Sequence, residues 1–351
     1  MTISPDLPRL VLVTCLLWHF KVSGLHWKKG NVESIHQLTY PPNDPLFHRQ
    51  IKLFEVLHIN ETWTEVRESE LPRRDVIVTA VDTGVATQQP DLDGKLLKGK
   101  DASGAWRSSV EDVYDHGTGI AGIIAAGINN GIGIAGIADR VKIRPIRVVA
   151  HKENGVSAVQ VERAWDMANG FKDSDVIVFA GGDAFTKDLS LMYKRVITKA
   201  VGQGSFVVIA ADNSNDSGGP DEIILPCSMA HTIPGVVCVT ATKTSEPTVL
   251  LTDASLLATF GVPATEVEIM TAERRGEAWM YSTAEGSSCA TAIVGGIAAL
   301  MQSFKKFKPD VIKEILLNAT EGKVKTAKGV EMLWQDRPMC KRPLVYLLNA
   351  C

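Results

Sequence analysis

Short runs of Val, Ile and Ala alternate with amphipathic stretches along the chain from about residue 75 onwards. Runs of this kind are typical of strands that are buried on both faces of a sheet. The predicted strands are residues 76–81 (VIVTAV), 141–149 (VKIRPIRVV), 175–182 (DVIVFAGG), 206–211 (FVVIAA) and 235–242 (GVVCVTAT). Apolar residues at helical spacing predict helices over residues 156–170 and 187–201. Alternating strands and helices predict an α/β fold, in which helices cover both faces of a mostly parallel sheet.

Two more helices are predicted towards the C-terminus. The segment EGSSCATAIVGG, residues 285–296, joins two adjacent serines to small residues, and an apolar run follows it. A helix that is apolar nearly all round is expected to lie in the centre of a fold. The segment KPDVIKEILLNAT, residues 308–320, predicts the other helix, with Pro309 in its first turn. Because the chain shows no internal repeat and no low-complexity linker, one domain over residues 41–351 is the simplest organisation.

The composition and the N-terminus narrow the class of protein. The 351 residues carry a formal net charge of -3, which does not favour a nucleic-acid partner. Residues 10–20 are apolar and are followed by small residues at 22–24, which predicts a secretory signal over residues 1–24. A buried N-terminal helix has the same pattern. The run is too short for a membrane span, so we expect a secreted protein with a short segment, residues 25–40, before the main domain.

Removal of such a signal leaves five cysteines, which are Cys227, Cys238, Cys289, Cys340 and Cys351. An odd number leaves at least one thiol unpaired. Cys227 and Cys238 flank a short segment that contains proline and are candidates for one disulfide. Cys340 and Cys351 are candidates for a second, which leaves Cys289 as a buried free thiol. No CxxC spacing occurs, so a zinc site is not expected.

Three sequons for N-linked glycosylation occur along the chain. They begin at Asn60, Asn215 and Asn318. They are compatible with a secreted glycoprotein, although such short motifs are common by chance.

Two polar residues follow predicted strands, and two more begin predicted helices. Asp82 directly follows the predicted strand at 76–81, and Asn213 comes shortly after the strand at 206–211. Sites in such sheets collect beyond the carboxyl ends of the strands. His116 begins the helical segment HGTGIAGIIAAG, and Ser288 begins the buried helix. Taken singly, these residues also suit a turn, a helix cap, a surface position or a polar loop.

Together, Asp82, His116 and Ser288 have the chemistry of a nucleophilic triad. A serine hydroxyl is a poor nucleophile until a base removes its proton, and histidine is a base that works near neutral pH. A buried carboxylate then orients the imidazole and stabilises its charged form. The N–H groups at a helix start suit a developing oxyanion, and the side chain of Asn213 would supply a second donor.

The motifs around these four residues resemble those of the subtilisin-like serine proteases. The matching stretches, in the family's order, are VIVTAVDTGVATQQPDLDG, DHGTGIAGIIAAGINNGIGIAGIA, VVIAADNS and EGSSCATAIVGG. The resemblance begins at PPNDPLFHRQIKL, residues 41–53, and runs to the C-terminus. It implies the three-layer subtilisin-like fold and a serine endopeptidase that acts on proteins or peptides through an acyl-enzyme. Asp82 would orient, His116 act as base and acid, Ser288 attack, and Asn213 stabilise the oxyanion.

The same resemblance implies a structural calcium ion. The implied ligands are the side chains of Asp44, Asp91 and Asn130 and the carbonyl groups of Ile128, Ile132 and Ile134. Oxygen ligands with several carbonyls suit Ca²⁺ better than zinc. A Gly/Asn turn that closes without a metal is the alternative interpretation.

The resemblance also implies a substrate cleft. The implied substrate-binding residues are Ala180, Gly181, Gly182, Ala210 and Asp212. Residues 180–182 would pair with the substrate backbone, which requires main chain more than side chains. Asp212 stands where the family has glycine. Its carboxylate is compatible with a preference for a basic residue before the scissile bond, and equally with a solvated charge on a loop.

Several residues depart from the family's pattern without touching the triad. They are Gly119 after the histidine, Val178 in the edge strand, and Ser287, Cys289, Ala292 and Ile293 around the serine. Residues 25–40 are also too few for the folded inhibitory propeptide that the family usually carries. These departures keep open the alternative of a catalytically inactive relative that binds peptides or protein partners.

A nucleotide-binding domain is a further alternative. Residues 117–122, GTGIAG, match the pattern GxGxxG, which must follow a strand directly. The preceding stretch SSVEDVYD is polar and acidic, and it makes a poor buried strand. We therefore expect no nucleotide, and we expect the protein to be a monomer.

Overall fold

The structure is a computed structural model that describes residues 38–69, 71–150, 155–213, 223–252, 258–321, 324 and 339–340. Its strands, in chain order, are β1 (Val76–Asp82), β2 (Lys100–Asp101), β3 (Val141–Arg147), β4 (Val176–Phe179), β5 (Asp183–Ala184), β6 (Phe206–Ala210), β7 (Ile224–Leu225), β8 (Val236–Thr242), β9 (Phe260–Pro263), β10 (Val267–Arg275), β11 (Ala278–Ala284), β12 (Thr320–Glu321) and β13 (Met339–Cys340). Its α-helices are α1 (Phe47–Val56), α2 (Ile59–Glu68), α3 (His116–Ala125), α4 (Ala158–Phe171), α5 (Lys187–Gly202), α6 (Ser287–Gln302) and α7 (Pro309–Asn318).

Seven strands form one sheet in the order β2-β3-β1-β4-β6-β8-β9, and every neighbouring pair is parallel. All residues of β4, β6 and β8 are buried, as their unbroken apolar sequences predict. Two apolar clusters cover the two faces of the sheet. One contains residues of α4 and α5, and the other contains residues of α1, α2, α3, α6 and α7. The predicted three-layer α/β fold is therefore confirmed.

Each of the five apolar runs contains a strand, but the predicted strands at 141–149, 175–182 and 206–211 extend past the observed carboxyl ends at Arg147, Phe179 and Ala210. The run at 175–182 ends as β4 at Phe179, so Ala180, Gly181 and Gly182 lie beyond the strand. The pattern of apolar residues does not reveal this exit, because Ala180, Gly181 and Gly182 continue the run without a polar residue. The exit matters because it brings residues 180–182 to the carboxyl edge, where β1 and β6 also end.

Helix α6 is the central helix of its layer. Every one of its residues except Ser288 is buried. A Cβ atom added to Gly295 would lie 2.7 Å from Cγ2 of Val178, which shows how closely α6 packs on β4. This contact accounts for the departure at Val178, whose side chain fills the space that Gly295 leaves.

The prediction missed α1, α2 and the antiparallel hairpin of β10 and β11. Helices α1 and α2 are separated only by a short turn in which His58 has a φ of 55°. Trp63 of α2 is fully buried, and its indole N–H donates to the carbonyl of Ile137 at 3.0 Å. The hairpin packs on α3, where a Cβ added to Gly119 would lie 3.3 Å from Ile269. The departure at Gly119 therefore makes room for the hairpin.

The cysteines of the described region follow the prediction. Cys227 and Cys238 form a disulfide that joins the short helix Cys227–His231 to β8, and Cys289 is a buried free thiol. The proposed pairing of Cys340 with Cys351 lies outside the described residues, as does the proposed signal at 1–24. In the part of the chain that the structure describes, no helix is long and apolar enough to cross a membrane.

Candidate active site

An acid–base pair stands at the carboxyl edge of the sheet. Asp82 is the last residue of β1, and His116 is the first residue of α3. The imidazole Nδ1 lies 2.7 Å from Oδ1 of Asp82, which also accepts a hydrogen bond from the backbone N–H of Thr83. The carboxylate is nearly buried, with 6% of the side chain exposed, whereas the imidazole is 40% exposed. The carboxylate therefore fixes one ring nitrogen and leaves the opposite side of the ring open to the cleft.

Asp112 ties the turn after β1 to the first turn of α3. Its Oδ1 accepts from the hydroxyl of Thr83 at 2.8 Å, and its Oδ2 accepts from the backbone N–H and the hydroxyl of Thr118 at 2.8 and 2.7 Å. The backbone N–H of Gly117 in turn donates to the Thr83 hydroxyl at 2.9 Å. A Cβ atom at Gly117 would stand 2.1 Å from the carbonyl oxygen of Gly84, so the two segments meet at a distance that only glycine allows. Asp112 is a positioning residue that the sequence analysis missed.

The charge of Asp82 changes the titration of His116. It raises the pKa of His116 from its ordinary value of 6.5 to about 9, against the opposing effect of burial, and Asp112 adds to the rise. The site therefore stabilises the imidazolium, which is the form that a general base adopts once it has taken a proton. The neutral form that accepts a proton becomes more populated as the pH rises.

The two adjacent serines have different surroundings. The hydroxyl of Ser287 is buried and donates to the carbonyl of Ala211 at 2.5 Å, so it holds the start of α6 against the end of β6. Ser288 is the half-exposed residue of α6 and lines the cleft. The thiol of the next residue, Cys289, is buried, and burial raises its pKa to about 12. Ser288 is therefore the side chain of the three that is placed for nucleophilic attack.

One contact of the predicted triad is absent. Between residues that the structure describes, no hydrogen bond joins Ser288 to His116. Hydrogen bonds of this kind are often long without substrate and tighten in the complex. The hydrogen bond between Asp82 and His116 is thus formed, whereas none of the described hydrogen bonds connects His116 to Ser288.

Asn213 lies beside the start of α6. Its Oδ1 accepts from the backbone N–H of Ser287 at 2.8 Å, which assigns the orientation of the amide and leaves Nδ2 as the donor. A Cβ atom at Gly286 would lie 3.1 Å from Oδ1 of Asn213, and Gly286 has a φ of 116°. Glycine is therefore required here by both the close approach and the backbone conformation. The arrangement can present a side-chain N–H to an oxyanion formed next to Ser288.

A cavity of about 310 Å³ adjoins Ser288 and Asn213. The five predicted substrate-binding residues all line it, and they are Ala180, Gly181, Gly182, Ala210 and Asp212. The wall is completed by residues of the short β5·β7 pair. Asp183 of β5 also lines the cavity and was missed by the sequence analysis, although it directly follows Gly181-Gly182. The structure therefore brings four catalytic and five substrate-binding predictions to one edge of the sheet.

The predicted calcium ligands lie around the loop after α3. Oδ1 and Oδ2 of Asp44 accept from the backbone N–H groups of Asn130 and Asn129, both at 3.0 Å. Asp91 accepts from Nδ2 of Asn130 at 2.8 Å and from the N–H of Ile134 at 3.0 Å. The structure thus gathers the predicted side chains of Asp44, Asp91 and Asn130 around one loop. Over the described ranges it contains no cluster of three or more His, Cys, Asp or Glu residues suited to a metal.

The two carboxylates that contact this loop are buried, with relative exposures of 4% for Asp44 and 1% for Asp91. Burial raises the pKa of Asp91 to about 7, and the nearby charge of Asp44 contributes to the rise. Burial also raises the pKa of Asp44. Two buried carboxylates whose charged forms are disfavoured by burial are a donor set that a hard cation would stabilise.

The GxGxxG pattern does not have the setting that a nucleotide site needs. Residues 117–122 lie inside α3, and no strand precedes them directly, since residues 102–115 contain none. The expectation of no nucleotide agrees with this placement.

The chain is similar in sequence to known proteins. A family model described as the subtilase family matches residues 73–333. Thermitase of Thermoactinomyces vulgaris is 28% identical over 273 residues, which are 75% of this chain and 86% of thermitase. The thermophilic serine proteinase of Bacillus sp. (strain AK1) is 30% identical over 234 residues, 64% of this chain. The chain spans about half the length of that proteinase (52%) and of subtilisin E from Bacillus subtilis (56%).

Solved structures show the same fold. A protease from Pseudoalteromonas arctica superposes with a TM-score of 0.71 at 22% identity, over 88% of this chain and 99% of its own. The nisin leader peptidase of Lactococcus lactis superposes with a TM-score of 0.66 at 20% identity, over 87% and 94% of the two chains.

Proposed function

The chain belongs to the subtilase family of serine proteases, and from the geometry of its site we propose that it is a secreted endopeptidase that hydrolyses peptide bonds through an acyl-enzyme. The observation that carries the proposal is the 2.7 Å contact between Asp82 and His116 beside a cleft that Ser288 and Asn213 line. Its substrates would be proteins or peptides, and the expectation that it is a monomer stays a prediction.

The proposed reaction begins with proton transfer from Ser288 to His116. The serine Oγ forms a bond to the carbonyl carbon, and the negative charge moves to the carbonyl oxygen. Nδ2 of Asn213 and the backbone N–H of Ser288 would donate to that oxygen. The imidazolium, stabilised by Asp82, then gives its proton to the leaving amine. Water then gives a proton to His116 and attacks the acyl carbon. The bond from that carbon to Oγ of Ser288 breaks, His116 returns the proton to Oγ, and the carboxylic acid is released.

The test uses a denatured protein substrate that becomes fluorescent on cleavage. We expect the wild-type protein to cleave it and Ser288→Ala to lose at least about 10⁴-fold in rate. The variant should keep the melting temperature of the wild type, because Ser288 makes no hydrogen bond among the described residues. Equal turnover by wild type and variant would contradict the proposal.

A catalytically inactive subtilase that binds peptides is the second candidate. The open link between Ser288 and His116 is the observation that favours it. A folded protein that binds extended peptides but cleaves none of them, at any pH up to 10, would establish this function in place of the first.

We also propose that the loop after α3 binds Ca²⁺. The ion would be held by Asp44, Asp91 and Asn130, with the carbonyl groups of residues 128, 132 and 134, and it would stabilise the fold. Removal of calcium with a chelator should lower the melting temperature, and Asp91→Asn should remove the difference between the two conditions. Since Asp91 must be ionised to bind the ion, the stabilisation should fall as the pH drops below about 7. A melting temperature that is independent of calcium would overturn this proposal.

Secretion is supported by the disulfide between Cys227 and Cys238, since such bonds persist in oxidising compartments. We propose a signal at residues 1–24, a short segment at 25–40 and one catalytic domain at 41–351. The packing of α1 and α2 in the same apolar cluster as α3 and α6 supports the domain. Sequencing of the N-terminus of the exported protein tests the signal, and a mature chain that retains residues 1–24 would contradict it.

A further inference from the structure

We propose that the cavity beside Ser288 is a subsite for a lysine or arginine side chain of the substrate residue whose carbonyl group is attacked. This inference rests on the proposed endopeptidase function and names its substrate class. The cavity is continuous with Ser288 and Asn213, so the side chain of the attacked residue is the part of a substrate closest to it. Its occupant is therefore decided by the shape and charge of the cavity wall.

Small residues form much of the cavity wall and leave room for a long side chain. Ala180, Gly181, Gly182, Ala210 and Ala211 contribute no atom beyond Cβ. A Cβ atom at Gly182 would lie 3.2 Å from both Cγ2 of Ile224 and the carbonyl oxygen of Leu225, so a larger residue there would narrow the space. A volume of about 310 Å³ accommodates the extended methylene chain of lysine together with its ammonium group.

The charge on the described part of the wall is negative. Asp183 and Asp212 line the cavity, and no Lys, Arg or His of the described residues does so. Two carboxylates in a partly desolvated cleft disfavour a neutral or acidic occupant and favour a cation, because the attraction between charges strengthens as water is excluded. Asp183 and Asp212 come from different segments of the chain, yet both line the same cavity. We therefore do not interpret Asp212 as an isolated, solvated charge on a loop.

Asp183 is held in place by the core. The hydroxyl of Tyr193, which is completely buried in α5, donates to Oδ2 of Asp183 at 2.5 Å. The backbone of Asp183 pairs with Leu225 across β5 and β7. A carboxylate has lone pairs for further donors, so the bond from Tyr193 fixes the group without using its capacity to accept from a cation. A preorganised carboxylate loses little entropy when a charged side chain binds.

Asp212 has a second task. Its Oδ1 accepts from the backbone N–H of Asn213 at 2.8 Å, so it supports the residue that we assign to the oxyanion. Substitution of Asp212 would change both recognition and catalysis. Asp183 makes no contact with the catalytic residues in the described hydrogen-bond network, and it is the residue that tests specificity alone.

The test compares two fluorogenic peptide amides that differ only in lysine or norleucine before the scissile bond. The wild-type ratio of kcat/KM, lysine over norleucine, should be about 100-fold or more. Asp183→Asn keeps an oxygen for Tyr193 and should lower this ratio about tenfold. Asp188→Asn removes the same charge from an exposed position outside the cavity, and the ratio should remain at its wild-type value. A wild-type ratio near one, or a ratio that Asp183→Asn leaves unchanged, would overturn the proposal.

A binding measurement separates this proposal from the endopeptidase function. The same lysine and norleucine peptides are titrated into Ser288→Ala, and their Kd values are compared. If wild type cleaves neither peptide while Ser288→Ala binds lysine more tightly by tenfold or more, the cationic subsite stands and the endopeptidase function fails. Equal Kd values for the two peptides would overturn the subsite whatever the rate of cleavage.

Discussion

The two halves of the site differ in how completely the described structure assembles them. On one side, Asp82, Asp112 and the first turn of α3 are joined by hydrogen bonds of 2.7 to 2.9 Å. On the other side, Ser288 has no bond to the base, and the adjoining wall is an open cavity. The comparison indicates that the fold preorganises the acid–base pair, which is the group that must carry charge, and leaves the nucleophile and the substrate cavity accessible.

The largest expected effect comes from the assembled half. Asp82→Asn keeps the size of the side chain but removes the charge that stabilises the imidazolium, and kcat should fall by about 10⁴-fold. Steady-state hydrolysis at saturating peptide measures this. Ser288→Ala in the same assay gives the lower limit of activity. A fall in kcat of less than tenfold for Asp82→Asn would show that the pair of Asp82 and His116 does not act in catalysis.

Asn213 joins the two halves, and its two side-chain atoms can be tested separately. Asn213→Asp keeps the oxygen that accepts from Ser287 and replaces the proposed donor, so kcat should fall by about 10²- to 10³-fold with the start of α6 intact. Asn213→Ala should show the same loss in kcat and should also lower the melting temperature. If Asn213→Asp keeps wild-type kcat, Nδ2 does not stabilise the oxyanion.

The pH dependence reports the electrostatics of the assembled half. Because neutral His116 is the base, kcat/KM should rise with pH and reach half its plateau near the raised pKa of about 9. Asp112→Asn removes one of the charges that raise this pKa, so its profile should shift to lower pH. The pairing of His116 with Asp82 stabilises the fold fully below pH 6.5, and that stabilisation is lost as the pH rises through the folded pKa. If Asp112→Asn has the same pH profile of kcat/KM as the wild type, the role assigned to Asp112 is wrong.

The smallest effect concerns the serine that we do not assign to catalysis. Ser287→Ala removes the buried hydroxyl bond to Ala211 and should lower the free energy of unfolding by about 1–2 kcal/mol. Its kcat should stay within about tenfold of the wild type, because the backbone N–H of residue 287 remains. Denaturant unfolding and hydrolysis measured on the same preparation test both parts. A loss of activity as large as that of Ser288→Ala would reverse the two assignments.

The sequence predicted the parts of the molecule that depend on local pattern. Runs rich in Val, Ile and Ala located five strands of the sheet, and a stretch of small residues at 285–296 located a helix buried everywhere except at Ser288. Features that depend on contacts between distant segments were missed. Asp112 acts through Thr83, 29 residues away along the chain, and Asp183 reaches the cavity because the chain leaves the sheet after Phe179. Such contacts follow from tertiary packing, which apolar periodicity does not encode.

The hairpin of β10 and β11 illustrates the same limit. Strand β10 carries four charged residues and ends in an exposed stretch, and no residue of β11 is buried, so the alternation of both strands is weak. The hairpin is stabilised by packing on α3, where Gly119 and Gly122 accommodate Ile269 and Met270. Gly119 was interpreted as a departure from a motif, whereas its physical role is to leave space for the hairpin.

The most direct test of the central claim, that Ser288 is activated by the pair of Asp82 and His116, is covalent labelling with a fluorophosphonate. The wild-type protein should take up one label, and peptide mapping should locate it on Ser288. Ser287→Ala should still be labelled, whereas Ser288→Ala and Asp82→Asn should show little or no labelling on the same time scale. A folded wild-type protein that takes up no label, or a label located on Ser287, would contradict the account.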